Sequence, residues 1–226
     1  MTQHHASAAE GAIDAFRAGE PVLIHDADDR EGETDLIYPA SAVTPEAVAR
    51  LRNDAGGLVC VALSAAVADA LELPFVQETI EHPAAADHDL AYDDRSSFSL
   101  TVNHRETRTG ITDEDRSLTI RALGELADEV RASERGPDAA AFAETFRAPG
   151  HVHLLRAAEG LLDERRGHTE FGVALADAAG LAPAVVVCEM LDDATGRALS
   201  SSAAHDYADR HGLAYVEGAE LARRLD

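Results

Sequence analysis

The stretch PVLIHDADDREGETDLIYPA, residues 21–40, decides how the chain is organised. PVLIHD (21–26) has the short, continuous apolar character of a buried strand, and DLIYPA (35–40) predicts a second strand ended by Pro39. Between them lies a polar loop carrying Asp26, Asp28, Asp29, Glu31, Glu33 and Asp35, with Arg30 among them. Two strands this close can pair as a hairpin, so the sheet is expected to be mixed rather than doubly wound.

Outward from this stretch, helix and strand signals alternate. TPEAVARLRNDAGG predicts a helix capped by Thr44, with Pro45 in its first turn and Gly56 as a stop. LVCVAL (58–63) is strand-like, and SAAVADALEL predicts a helix ending before Pro74. Residues 76–95 show no period and are expected to form a long loop, a kind of segment that often carries function. SSFSLTV alternates like a strand. TGITDEDRSLTIRALGELADEV predicts a loop entering a long helix, with Thr112 and Asp115 placed as a capping box. RASERGPDAAAFAETFRAPG (131–150) is expected to be polar and loop-rich. HVHLL predicts a strand, HTEFGVALADAAG a helix stopped by Gly180, and PAVVVCEM a buried strand. DDATG is a turn, with helix, strand and helix after it. The pattern is α/β (α+β): one domain over residues 1–226, a mixed β-sheet core flanked by helices.

Composition narrows the function classes. The 226 residues are 46% hydrophobic, enough for a real core. Net charge is −23, and all 19 basic residues are arginine. The acids are dispersed along the chain, as in proteins of salt-loving archaea, where carboxylates keep the surface hydrated and salt screens their repulsion. Nucleic acid is disfavoured as a partner, because phosphate contacts need clustered basic residues. With no long apolar run and no basic, apolar leader, neither a membrane span nor a signal peptide is expected. Two cysteines, Cys60 and Cys188, fit a reduced cytoplasmic setting.

In an extended segment Glu31, Glu33 and Asp35 share one side, and three converging carboxylates suit a hard divalent cation such as Mg²⁺ or Mn²⁺. Arg30 can hold a phosphate or hydroxyl oxygens. A calcium loop starting at Asp26 fails, with Glu31 where glycine is needed and Ile37 where glutamate is needed. A sugar-phosphate phosphatase built on Asp26 and Asp28 and a plain solvated acidic turn both stay open. RRGHTE (165–170) puts Arg165, Arg166 and Gly167 before a helix start at His168, a candidate phosphate cradle. His151 and His153 follow a Pro-Gly turn on one side of a strand, with the near-neutral titration a proton shuttle needs. Glu189 ends an apolar strand, where ligands bind in α/β sheets. Thr109 and Gly110 form a candidate anion-holding turn.

Together DDREGETDLIYPA, GGLVC, TGITDEDR, RAPGHVHLL, RRGHTE and CEM resemble, in order, the motifs of the 3,4-dihydroxy-2-butanone-4-phosphate synthases of riboflavin biosynthesis. The resemblance implies a lyase that converts D-ribulose 5-phosphate to L-3,4-dihydroxy-2-butanone 4-phosphate and formate, with Mg²⁺ or Mn²⁺, as a homodimer with active sites near the subunit boundary. It implies Glu31 and His168 as metal ligands. It places Arg30, Glu31, Asp35, Arg165, Arg166, Gly167, His168, Thr169 and Glu189 at the substrate, and His151, Glu189, Asp35 and Glu33 in catalysis. Asp26 and Cys60 match positions lining the site. Two positions depart from the usual pattern: Arg166, where glycine is common, and Thr112, where serine is common. A form without the cyclohydrolase domain of many bacterial relatives is expected.

Overall fold

The computed structural model describes residues 7–27, 30–85, 95–133 and 136–225. Its strands are β1 (Val22–His25), β2 (Thr34–Pro39), β3 (Cys60–Leu63), β4 (Phe98–His104), β5 (Phe146–Arg156), β6 (Ala184–Val187) and β7 (Ala214–Glu217). Its helices are α1 (Ala8–Arg17), α2 (Pro45–Asp54), α3 (Ala65–Ala70), α4 (Val76–Thr79), α5 (Asp113–Ala132), α6 (Ala139–Thr145), α7 (His168–Ala179), α8 (Ser201–His211) and α9 (Gly218–Leu225). The strands form one mixed sheet in the order β4-β5-β3-β6-β2-β1-β7. β1 and β2 are the expected hairpin, with His25 opposite Thr34. β3–β5 and β1–β7 are parallel, and the other neighbours are antiparallel.

Alternation along each strand sends side chains to two cores. On one face Leu23, Leu36, Val61, Leu154 and Val186 pack against α2, α5 and α8 through residues such as Leu51, Ile120 and Tyr207. On the other, Ile24, Ile37, Ala62, Val185 and Val187 pack against α1, α7 and α9 through Phe16, Phe171 and Leu221. Gly172 is needed on α7, because a Cβ there would come within 2.7 Å of Val185.

Local chemistry sets several ends as the sequence predicts. The Thr44 hydroxyl accepts from Ala47 N at 3.2 Å with Pro45 beside it, and Gly180 stops α7 at φ 74°. α2 ends at Asp54 with Ala55 extended, a residue short of Gly56. Residues 131–150 depart from expectation. α6 forms there, capped by the Asp138 carboxylate, which accepts from Ala140 N and Ala141 N at 3.0 Å each. β5 then begins at Phe146 rather than at the histidines. The Phe142 and Phe146 rings lie 4.9 Å apart and are both buried, a contact that anchors an otherwise largely exposed segment. The expected long loop also differs: α4 and a 3₁₀ turn at Pro83–Ala85 occupy its first part, and residues 86–94 lie outside the described residues. Among the described residues no helix is long and apolar enough to cross a membrane.

Candidate active site

One edge of the sheet gathers the chemistry. β1 ends there, β2 begins there and β6 runs out there. Asp35 of β2 faces Glu189, just beyond β6, across an antiparallel bridge. Leu36 N donates to Cys188 O at 2.9 Å and Met190 N to Thr34 O at 2.8 Å, so backbone pairing sets the spacing of these two carboxylates. α7 points its N-terminus at the same edge and delivers His168 and Thr169, both buried.

The acidic loop folds around Asp26. Its buried carboxylate accepts from Glu33 N at 2.9 Å, Glu31 N at 3.4 Å and Arg30 Nη1 at 3.2 Å. Gly32, at φ 65°, permits the turn between them. Asp26 is thus committed to shaping the loop, which argues against a phosphatase nucleophile; Asp28, its proposed partner, lies outside the described residues. The turn carries Glu31 to His168: Oε2 lies 3.6 Å from Nδ1. Asp35 Oδ1 lies 3.3 Å from the same nitrogen, while Nε2 faces the Ile24 carbonyl at 3.2 Å.

Ligand atoms of Asp26, Glu31 and His168 lie within 4.8 Å of one another. Glu31 and His168 suit a hard divalent ion, a carboxylate and an imidazole whose far nitrogen can donate to a backbone carbonyl, while Asp26 anchors the turn beside them. Among the described residues Asp35 Oδ1 is buried with no hydrogen-bond partner, and His168 Nδ1 at 3.3 Å is the charge it faces.

Electrostatics are strongly perturbed here. Burial pushes the Asp35 carboxyl up to about 8, with Glu189, Glu31 and Glu33 adding to the rise against the pull of His168. Burial opposes charge on His168, but Asp35, Glu31 and Asp26 outweigh it and lift the imidazole to about 9. Burial raises Glu189, and burial with the charges of Glu31 and Glu189 raises Glu33. Burial also acts upward on Glu31, yet its bond to His168 and the nearby Arg30 and Arg165 hold it below the usual range. The edge therefore sets a carboxyl that its surroundings lower, Glu31, beside others that burial raises, the kind of separation that proton-transfer chemistry requires.

A cavity of about 280 Å³ opens on this edge, lined by Glu31, Asp35, Cys60, His168, Thr169, Glu189 and Arg165 among others. Gly167 lies between two guanidiniums: a Cβ would come within 2.7 Å of Arg165 Nη1 and 2.9 Å of Arg30 Nη2. Arg165 Nη1 is held at 2.6 Å by Glu170, whose carboxylate is fully buried and also accepts from Ala158 N at 2.9 Å. Sequence reasoning missed Glu170, whose only signal is a carboxylate in the first turn of a buried helix. It also missed Arg95, Ser96, Ser97 and Phe98, which line the far wall, with Arg95 stacked 4.0 Å over the Phe75 ring.

Arg30 and Gly167 stand just behind the lining, and Arg166, Glu33 and His151 also lie off it. Arg166 is exposed and bonds the Leu162 carbonyl at 3.2 Å. Glu33 stands at the rim of the acidic turn. His151 is exposed on β5, its backbone N–H bonded to Asn103 Oδ1 at 2.8 Å. The expected anion-holding turn is filled from within: Asp115 accepts from Gly110 N at 2.8 Å and Thr109 N at 3.2 Å. The Thr112 hydroxyl still caps α5 by accepting from Asp115 N at 3.1 Å, while the Asp115 carboxylate is spent on that turn.

A mixed sheet with carboxylates and an imidazole at one edge, and arginines beside a helix N-terminus, marks the chain as an α/β enzyme with groups of both charges gathered at one cavity. The family model for 3,4-dihydroxy-2-butanone 4-phosphate synthase matches residues 10–224, and the chain belongs to that family. It is 50% identical over 220 residues to the Methanosarcina mazei 3,4-dihydroxy-2-butanone 4-phosphate synthase, covering 93% of this chain and 87% of the relative. It is 51% identical over 219 residues to that of Archaeoglobus fulgidus, covering 92% and 90%. Among solved structures, the Candida albicans synthase superposes with a TM-score of 0.77 at 33% identity, covering 96% of each chain. A synthase in complex with two magnesium ions superposes at 0.78 and 32% identity, covering 95% and 94%.

Proposed function

We propose that this chain forms L-3,4-dihydroxy-2-butanone 4-phosphate and formate from D-ribulose 5-phosphate, in riboflavin biosynthesis, with Mg²⁺ or Mn²⁺ held by Glu31 and His168. The observation that carries the reading is the convergence of Glu31 and His168, from distant parts of the chain, beside Asp35 and Glu189. A solved relative that binds two magnesium ions supports the choice of metal.

The cation, when bound, neutralises charge on vicinal sugar oxygens and so eases enolisation. The protein supplies the rest. Arg30, Arg165, Gly167, Thr169 and the α7 N-terminus hold the phosphate. Glu189 and Asp35, with carboxyls raised by burial, take and return protons at the carbon skeleton, with Glu33 at the rim. Enclosure by Cys60 and Val187 limits water while water is lost, the skeleton shifts and formate leaves.

His151 completes the set from outside its own cavity. Its exposure supports a homodimer in which one copy's His151 serves the site of the other. Residues 1–226 act as one synthase domain, in the cytoplasm, with no nucleic-acid or membrane partner, and the charge of −23 suits high salt.

The test is incubation of purified protein with ribulose 5-phosphate and MgCl₂. Formate should appear and EDTA should stop it. Release of inorganic phosphate instead would identify a phosphatase and overturn the reading.

A further inference from the structure

The β4–β5 ladder is irregular between Val102 and Asn103. Such an irregularity re-aims a side chain, and here the side chain is that of Asn103, which is 4% exposed. Its Oδ1 lies 2.8 Å from the backbone N–H of His151. Only an oxygen can accept that bond, so the amide orientation is fixed. Its Nδ2 then faces the Thr109 carbonyl at 3.4 Å and Nδ1 of the His151 ring at 3.2 Å. Oδ1 is also 3.3 Å from Nδ1 and has a second lone pair, but a proton on Nδ1 would face the Nδ2–H only 3.2 Å away. Both Nδ2 hydrogens find acceptors when Nδ1 accepts, which in the neutral ring leaves the proton on Nε2.

The surroundings are built for this contact. A Cβ on Gly110, which sits at φ +87°, would fall 2.1 Å from Asn103 Nδ2. A Cβ on Gly150 would fall 1.9 Å from the Val102 carbonyl carbon. Asp115 pins the 109–110 turn against the amide through Gly110 N at 2.8 Å. Gly110 and Asp115 thus serve the placement of the amide, and Gly150 lets β5 approach the β4 backbone beside it.

We infer that Asn103 is the positioning residue for His151: it fixes the ring and favours the Nε2–H tautomer, so that the ring presents Nε2–H to the substrate as a hydrogen-bond donor. The inference rests on the reading of His151 as catalytic, and the variants separate the two.

The ¹⁵N NMR signals of His151 report the tautomer directly. In the unmodified protein at pH 8, Nδ1 should be unprotonated; a protonated Nδ1 in the neutral ring overturns the assignment without any variant. In Asn103→Asp the second carboxylate oxygen should draw the proton to Nδ1. In Asn103→Ala, kcat for formate release should fall about 10–100-fold with KM within about two-fold, because the ring, and not the substrate pocket, is disturbed. A fully active His151→Gln removes the premise and the inference with it. An inactive His151→Gln beside an Asn103→Ala with unchanged kcat and tautomer overturns the role of Asn103 alone.

Discussion

Replacing Gly167 by alanine tests the arginine cradle directly. The backbone there is extended, at φ −99° and ψ 169°, so alanine adds no strain. What it adds is a methyl group 2.7 Å from Arg165 Nη1 and 2.9 Å from Arg30 Nη2, where ordinary contact begins at 3.4 Å. Both guanidiniums must retreat by about half an ångström or more. Neither moves freely: Glu170 holds Arg165 at 2.6 Å, and Asp26 and Glu31 hold Arg30 at 3.2 and 3.1 Å. A charge-assisted hydrogen bond is worth about 1.5–3 kcal/mol. Losing the better part of one predicts a fall of about 10–100-fold in kcat/KM. Because the phosphate does not react, most of that should be in KM. Steady-state formate release against ribulose 5-phosphate measures the effect, with thermal unfolding as the control. A kcat/KM within about two-fold of the parent, with melting unchanged, would show that the pair does not grip substrate and would refute the cradle.

Proton linkage offers a second test. His168 titrates near 9 in the metal-free protein, so it is mostly protonated at pH 7.5 and must lose its proton to bind an ion. Calorimetry in buffers of different ionisation heat should show roughly one proton released per Mg²⁺, and affinity should rise with pH up to about 9; no release at pH 7.5 contradicts the ligand assignment. Asp35→Asn should abolish turnover while stabilising the metal-free protein at pH 8 by about 1–2 kcal/mol. The sign follows from a carboxyl raised in the folded state from 3.8 to about 8: its penalty is absent below the unfolded value, grows through this window and is full above it. Denaturant unfolding at pH 5 and pH 8 would read it, with equal effects at both arguing against a buried titrating group. Glu170→Gln should raise KM for the sugar phosphate and cost about 2–4 kcal/mol of stability by stripping a buried ion pair of its anion. Unchanged melting would show that the pair is not structural.

Most of the fold was legible because its signals are local. Thr44 and Pro45 announce α2, Gly180 ends α7, and the apolar runs at 22–25 and 184–187 are long enough to be read without context. Residues 131–150 were misread because their helix and strand depend on the contact between Phe142 and Phe146, which composition does not display. Within the site, ordered motifs pointed to Glu31, Asp35, His168 and Glu189, which the fold brings to one edge. Glu170 and Arg95 were not legible, since a buried anchor and a stacked cation are defined by neighbours distant in sequence. The candidate anion turn at 109–110 failed for the converse reason: its N–H groups do bind an anion, the carboxylate five residues beyond Gly110.

β6 is late in the chain yet central in the sheet, wedged between β3 and β2. Before it is synthesised, the hairpin bearing Glu31 and the strands bearing Cys60 share no backbone ladder. A nascent chain cut short of this segment would therefore own two unconnected half-sheets, and catalytic competence would arrive in a single late event as the keystone strand slots home.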